Sequence, residues 1–235
     1  RARDVTGVQT CALPISRRHD LADLSRLDRG DFAARAVAGL LPPFRDASII
    51  ARVRATLAAQ ALPGIVARPS APLAAGEIQL GLAFPFRLEG VRVKSAIVVK
   101  SSDVAGFSDP FEVARGAASL GGALGAALRR LTQTAETLGL RLGVVGSAAM
   151  EIATGLPYAT AASDLDLVLT GGGPEALEAF AAALGGCDVR VDAEVLLGSG
   201  GGVKLAEFVS GSKSLVLKEI SDVRLVAREE VIAAL

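Results

Sequence analysis

The segment Val144–Leu169, VVGSAAMEIATGLPYATAASDLDLVL, restricts what this chain can fold into more than any other stretch. It joins an apolar run to a Gly-Ser pair, then a short helical stretch, then an Asp-Leu-Asp inside a second apolar run. The pattern reads as strand, turn, helix, strand. Val144 and Val145 end the first strand, Gly146 makes the turn, and Ser147 caps a helix that starts at Ala148. Asp164 and Asp166 lie two apart in the second strand, so their carboxylates share one face, roughly 6–7 Å apart along the backbone. Like charges so placed repel unless a cation sits between them, and the free N–H groups of a helix start favour an anion. These residues predict Mg2+ and a polyphosphate, the chemistry of nucleotidyl transfer.

A third carboxylate is expected from Val189–Leu197, VRVDAEVLL, whose alternation sets Asp192 and Glu194 on one strand face. Nothing local separates the two. Asp192 is taken as the metal ligand beside Asp164 and Asp166, with Glu194 as its alternative.

The Gly-Ser…Asp-Leu-Asp pattern resembles the nucleotidyltransferase fold of the polymerase-beta type. The longer string GSAAMEIATGLPYATAASDLDL, Gly146–Leu167, is similar to the phosphoribosyl-dephospho-CoA transferases of malonate decarboxylase, also called its holo-acyl-carrier-protein synthases. The residues that carry the likeness are Thr154, Gly155, Leu156, Pro157, Tyr158, Ser163, Asp164, Leu165, Asp166 and Leu167. Weaker echoes at Arg18–Leu21, Pro63–Arg68 and Ser214–Lys218 extend it over about residues 17–227. The resemblance implies transfer of the phosphoribosyl-dephospho-CoA group from triphosphoribosyl-dephospho-CoA to a serine of the acyl carrier protein subunit, with release of pyrophosphate. On physical grounds Asp164 and Asp166 would hold Mg2+ against the triphosphate, and Asp192 would help place a second ion or the attacking hydroxyl. N–H groups after Gly146 and Ser147 would cradle the outer phosphates, and Arg68 would contact phosphate as well. Lys218 reads equally as a phosphate-reaching strand lysine or a surface ion pair, and Tyr158 as an adenine-stacking ring or an anchor for its loop. Two alternatives stay open: an adenylyltransferase of the same fold that uses ATP, and a relative that binds nucleotide without turnover.

The rest of the chain places this motif in a larger protein. Val5–Ile15 resembles the translation of a sequencing-library adaptor, so residues 1–16 are read as a non-native leader. Setting Cys11 aside with it leaves Cys187 alone, which excludes an intrachain disulfide and fits a reducing cytoplasm. The remaining residues divide into an N-terminal mixed domain over 17–115 and a catalytic domain over 116–235. The first carries 14 Lys and Arg against 10 Asp and Glu, the second 9 against 14: the acidic half holds the candidate metal carboxylates, and the arginine-rich half suits a polyphosphate or an acidic protein. No apolar run is long enough to cross a bilayer. With aromatics at 4% and no tryptophan, a base-stacking surface for nucleic acid is not expected. His19, the sole histidine, removes His-based triads and most zinc sites; an exposed or capping role is expected for it.

Periodicity and breakers predict a helix over 47–60 and strands over 64–68, 78–84 and 91–100, then one or two helices within 112–138. Strand 142–146, helix 147–154, strand 164–169 and helix 174–184 follow, then strands near 187–197, 214–218 and 223–227 and a helix from 228. Gly198–Gly202 lacks the lysine of a phosphate-binding loop and reads as a flexible hairpin. The expected class is α/β or α+β: a nucleotidyltransferase-type mixed sheet with flanking helices, preceded by a smaller mixed domain.

Overall fold

A computed structural model describes residues 18–235 of the chain; the expected leader over residues 1–16, with Cys11, lies outside them. The first half contains β1 (Leu21–Asp23), α1 (Arg29–Ala38), α2 (Ala47–Ala59), β2 (Gly64–Val66), β3 (Glu77–Leu88), β4 (Val91–Lys100) and β5 (Gly106–Ser108). Its sheet runs β4-β3-β2-β1-β5, with every neighbouring pair antiparallel. Local chemistry sets the boundaries. Asp28 caps α1 by accepting from the N–H groups of Gly30 and Asp31, and Asp46 caps α2 by accepting from Ser48. The β3–β4 hairpin turns at Glu89 and Gly90, both at positive φ, which matches the right-handed twist of the strands it joins.

The second half contains α3 (Pro110–Ala114), α4 (Gly122–Thr137), β6 (Arg141–Val145), α5 (Gly146–Thr154), β7 (Leu165–Thr170) and α6 (Pro174–Leu184). It continues with β8 (Val191–Leu196), β9 (Gly202–Lys204), α7 (Leu205–Val209), β10 (Ser214–Lys218), β11 (Val223–Ala227) and α8 (Arg228–Ala233). Here the sheet runs β11-β10-β9-β8-β7-β6 and is mixed: β7 and β8, joined through α6, are parallel, and the other neighbours are antiparallel. Two open sheets with helices make the chain an α+β protein.

The elements absent from the sequence reading are β1, β5 and β9, each three residues long, and helices α1 and α7. A three-residue strand is too short to show a period, and α1 buries only Phe32 and Ala36 on a helix rich in arginine. The stretch 112–138 is the end of one helix, a short 3-10 turn over Ala117–Ser119 and a second helix that opens at Gly122, at φ +63°.

Each sheet has its own core. One gathers Leu80, Leu82, Phe84, Val93 and Ile97 around Phe44 and Val53; the other gathers Leu165, Leu167, Leu169, Val195 and Val203 around Leu128, Leu131 and Phe180. The Thr-Gly-Leu-Pro-Tyr segment after α5 joins them, and Leu156 packs against both cores.

Candidate functional site

The site lies where β6, β7 and β8 run side by side. Leu165, Leu167 and Leu169 are all fully buried, so alternation turns Asp166 to the opposite face of β7. In the parallel register Asp166 is the direct partner of Asp192, and the antiparallel register places Val145 on its other side. Asp164 precedes the strand rather than lying within it. Beside Asp166 begins α5, with Gly146 at φ +68°; a Cβ built there would overlap the Asp166 carboxylate. The helix opens two residues before the expected start at Ala148. Val145 is its N-cap, no side chain makes a capping bond, and Ser147 falls inside the first turn. Ser147 is therefore not a cap. Glycine is needed at 146 for two independent reasons: a left-handed backbone and the closeness of a carboxylate.

The three aspartates are not equivalent. Among the described residues Asp164 pairs with Arg190 and Asp192 with Lys204, while Asp166 takes no hydrogen bond and no ion pair. Burial raises the Asp166 carboxyl above its ordinary value, and the nearby charges of Asp192 and Asp164 raise it further. The expected three-ligand metal set is not preformed: among the described residues no three His, Cys, Asp or Glu side chains converge as ligands. The flanking carboxylates are turned to basic side chains instead. What remains fits Mg2+, which is held through one or two carboxylates together with substrate phosphates and water rather than by a full protein cage.

Glu194, two residues along β8, has a different environment. It is 9% exposed and its carboxylate meets Arg18, Lys218 at 3.3 Å, His19 at 3.7 Å and Lys204 at 4.0 Å. Burial alone would raise its carboxyl, but His19, Arg18 and Lys218 outweigh that and hold it well below the usual carboxylate range. It is a saturated counter-ion rather than an open metal ligand. His19 is correspondingly not an exposed or capping residue: its side chain is 23% exposed and faces Glu194. The contact spans from residue 19 to residue 194, and no local pattern could have revealed it.

Lys218 thus stands in the site, across from the same carboxylate. Arg68 and Tyr158 do not join the carboxylates. The Arg68 guanidinium donates to the Glu219 carbonyl at 3.1 Å and ties the N-terminal half to the end of β10. Tyr158 has no exposed surface, its hydroxyl donates to the Ala83 carbonyl at 2.8 Å, and Arg92 donates to its own carbonyl. Of its two readings the anchor is the one this geometry supports, since a ring with no surface cannot stack on a base.

An α+β chain with a carboxylate unpaired among the described residues, beside a glycine-opened helix and near a cluster of basic side chains, has the form of a transferase. The chain matches the phosphoribosyl-dephospho-CoA transferase MdcG N-terminal domain over residues 17–110 and the C-terminal domain of the same family over residues 112–229. It is similar to phosphoribosyl-dephospho-CoA transferases from two strains of Xanthomonas campestris pv. campestris. Each is 30% identical over 181 residues, covering 75% of this chain and 84% of the relative. One from Xanthomonas euvesicatoria pv. vesicatoria is 31% identical over 174 residues, 72% of this chain and 81% of the relative. The chain belongs to the phosphoribosyl-dephospho-CoA transferase family. No solved structure matches it. Among the described residues no helix is long and apolar enough to cross a membrane.

Proposed function

We propose that the protein is a Mg2+-dependent nucleotidyltransferase that moves the 2'-(5''-phosphoribosyl)-3'-dephospho-CoA group from its triphosphate precursor to a serine of an apo acyl carrier protein. The carrier is taken to be that of malonate decarboxylase, and the working compartment the cytoplasm. The observation that carries the reading is Asp166: a half-buried carboxylate without a hydrogen-bond or ion-pair partner among the described residues, aligned with Asp192 across β7 and β8, over a residue that must be glycine.

Asp166 would hold the metal, with Asp164 or Asp192 joining it once Arg190 or Lys204 is released toward the substrate. A bound Mg2+ neutralises charge on the triphosphate and on the departing pyrophosphate. The serine oxygen attacks the α-phosphorus, the bond to the β-phosphate oxygen breaks, and the hydroxyl proton passes to solvent. The protein's share is mainly orientation. Ser147 lies in the first turn of α5, where free N–H groups point outward to a phosphate. Lys218 brings a partly exposed cation to the same face.

The test is direct. Incubated with Mg2+, triphosphoribosyl-dephospho-CoA and an apo carrier, the protein should release pyrophosphate and add the whole prosthetic group to the carrier, as read by mass spectrometry. An AMP-sized adduct from ATP, with none from the precursor, would overturn the assignment in favour of an adenylyltransferase.

A further inference from the structure

Three full cations, Arg18, Lys204 and Lys218, face the single carboxylate of Glu194, and they come from three separate parts of the chain. Arg18 is contributed by the N-terminal half, next to His19. Successive residues of an extended chain point to opposite sides. His19 instead sits at φ +79°, which few non-glycine residues adopt, and this turn brings both side chains to one carboxylate. Gly202 leaves the room for it: a Cβ there would lie 3.3 Å from Arg18 Nη2 and 3.4 Å from Glu194 Oε2. The arrangement is also incomplete. Among the described residues Arg18 Nε is buried without a hydrogen-bond partner and, as it can only donate, lacks an acceptor; His19 Nε2 likewise makes no hydrogen bond there, its approach to Glu194 Oε2 being 3.7 Å. Lys204 and Lys218, at 29% and 31% side-chain exposure, keep the cluster open to solvent on one side. On the sheet this cluster adjoins the aspartates directly: Glu194 follows Asp192 on β8, and Lys204 is its register partner on β9.

We propose that Arg18, Lys204 and Lys218, gathered by Glu194, form a subsite for the pyrophosphate end of the substrate, which the N-terminal segment Arg18-His19 completes. The inference rests on the transfer reading, in which pyrophosphate is the leaving group. Glu194 acts as a positioning residue, through the cations it holds. His19 sets the backbone turn that delivers Arg18. Metal and outer phosphates would then lie on adjacent strands, the metal at Asp166 and the phosphates beside Glu194.

The probe is inorganic pyrophosphate with Mg2+, titrated into the full chain by calorimetry. The unsubstituted protein should bind it; Arg18→Ala should weaken binding at least tenfold, Arg18→Lys should restore part of it, and Lys218→Ala should weaken it independently. Arg54→Ala, on the exposed face of α2, should bind as the unsubstituted protein does. Melting curves accompany each variant, and Lys218→Ala carries the test if Arg18→Ala does not fold. The subsite is overturned if the unsubstituted protein does not bind pyrophosphate. Wild-type affinity in both Arg18→Ala and Lys218→Ala would overturn it too, as would an equal loss in Arg54→Ala. The titration needs neither carrier nor precursor, so Arg18-dependent binding of pyrophosphate together with no transfer in the separate assay with precursor and apo carrier would count against the proposed reaction and leave the subsite standing.

Discussion

Gly146 lies so close to Asp166 that any side chain at residue 146 would occupy the space of the Asp166 carboxylate. Its φ of +68° adds a second constraint. Gly146→Ala should lower stability by about 1–2 kcal/mol from the left-handed backbone alone. Transfer should fall far more than that loss of fold explains, because Asp166 must move off the position it shares with Asp192. Thermal unfolding and a transfer assay on the same preparation separate the two effects.

Asp166→Asn keeps the shape and removes the charge. The carboxyl is raised in the folded protein, so its contribution to stability is present below its ordinary value of 3.8 and is lost as pH rises through the folded value. At neutral pH the charge is therefore a liability, and the variant should unfold at the same temperature or higher. Transfer should drop roughly a thousand-fold or more, in line with loss of several kcal/mol of metal-based stabilisation. A variant with near-normal turnover would show that the metal is held elsewhere.

Glu194 has the opposite sign. Its carboxyl is lowered on folding, so its contribution is present above the ordinary glutamate value of 4.5 and is lost as pH falls through the folded value. Glu194→Gln should destabilise the protein at neutral pH by roughly 1–3 kcal/mol, less than the ~3–5 of a fully buried pair because Lys204 and Lys218 stay partly solvated. The acid side of its stability curve should be shallower than that of the unsubstituted protein. Melting temperatures measured from pH 7 down to pH 3 decide this.

Tyr158→Phe removes one hydrogen bond and leaves the Ala83 carbonyl without its donor. The expected loss is about 1–2 kcal/mol, measured by urea unfolding. KM for the precursor should not change, since the ring is enclosed between the two halves. A raised KM at unchanged stability would place the ring in the substrate site after all.

Much of the second half was legible from residue order. Helix 174–184 and strands 214–218 and 223–227 have the bounds that periodicity and breakers predict, and β7 starts one residue after its predicted position. Those signals are local: Pro174 opens a helix, and Leu165, Leu167 and Leu169 alternate with a polar or second-face residue. The closeness of Asp166 to Gly146 was likewise visible, since both stand within one strand-helix-strand unit; that Asp164 turns to Arg190 was not.

What residue order could not decide was which partners those side chains meet. Asp192 and Glu194 have the same alternation on the same strand, and only their surroundings separate them: Asp166 and Lys204 stand beside the first, while Arg18, His19 and Lys218 gather round the second. His19 departs from its expected role, and Tyr158 takes the anchor of its two readings, for the same reason, each by a contact that joins distant parts of the chain. Periodicity, caps and turns act over a few residues and are written in the sequence. Charge pairing and burial depend on which surfaces fold together, so which carboxylate stands unpaired among the described residues, which is a counter-ion and which ring is an anchor followed from tertiary packing.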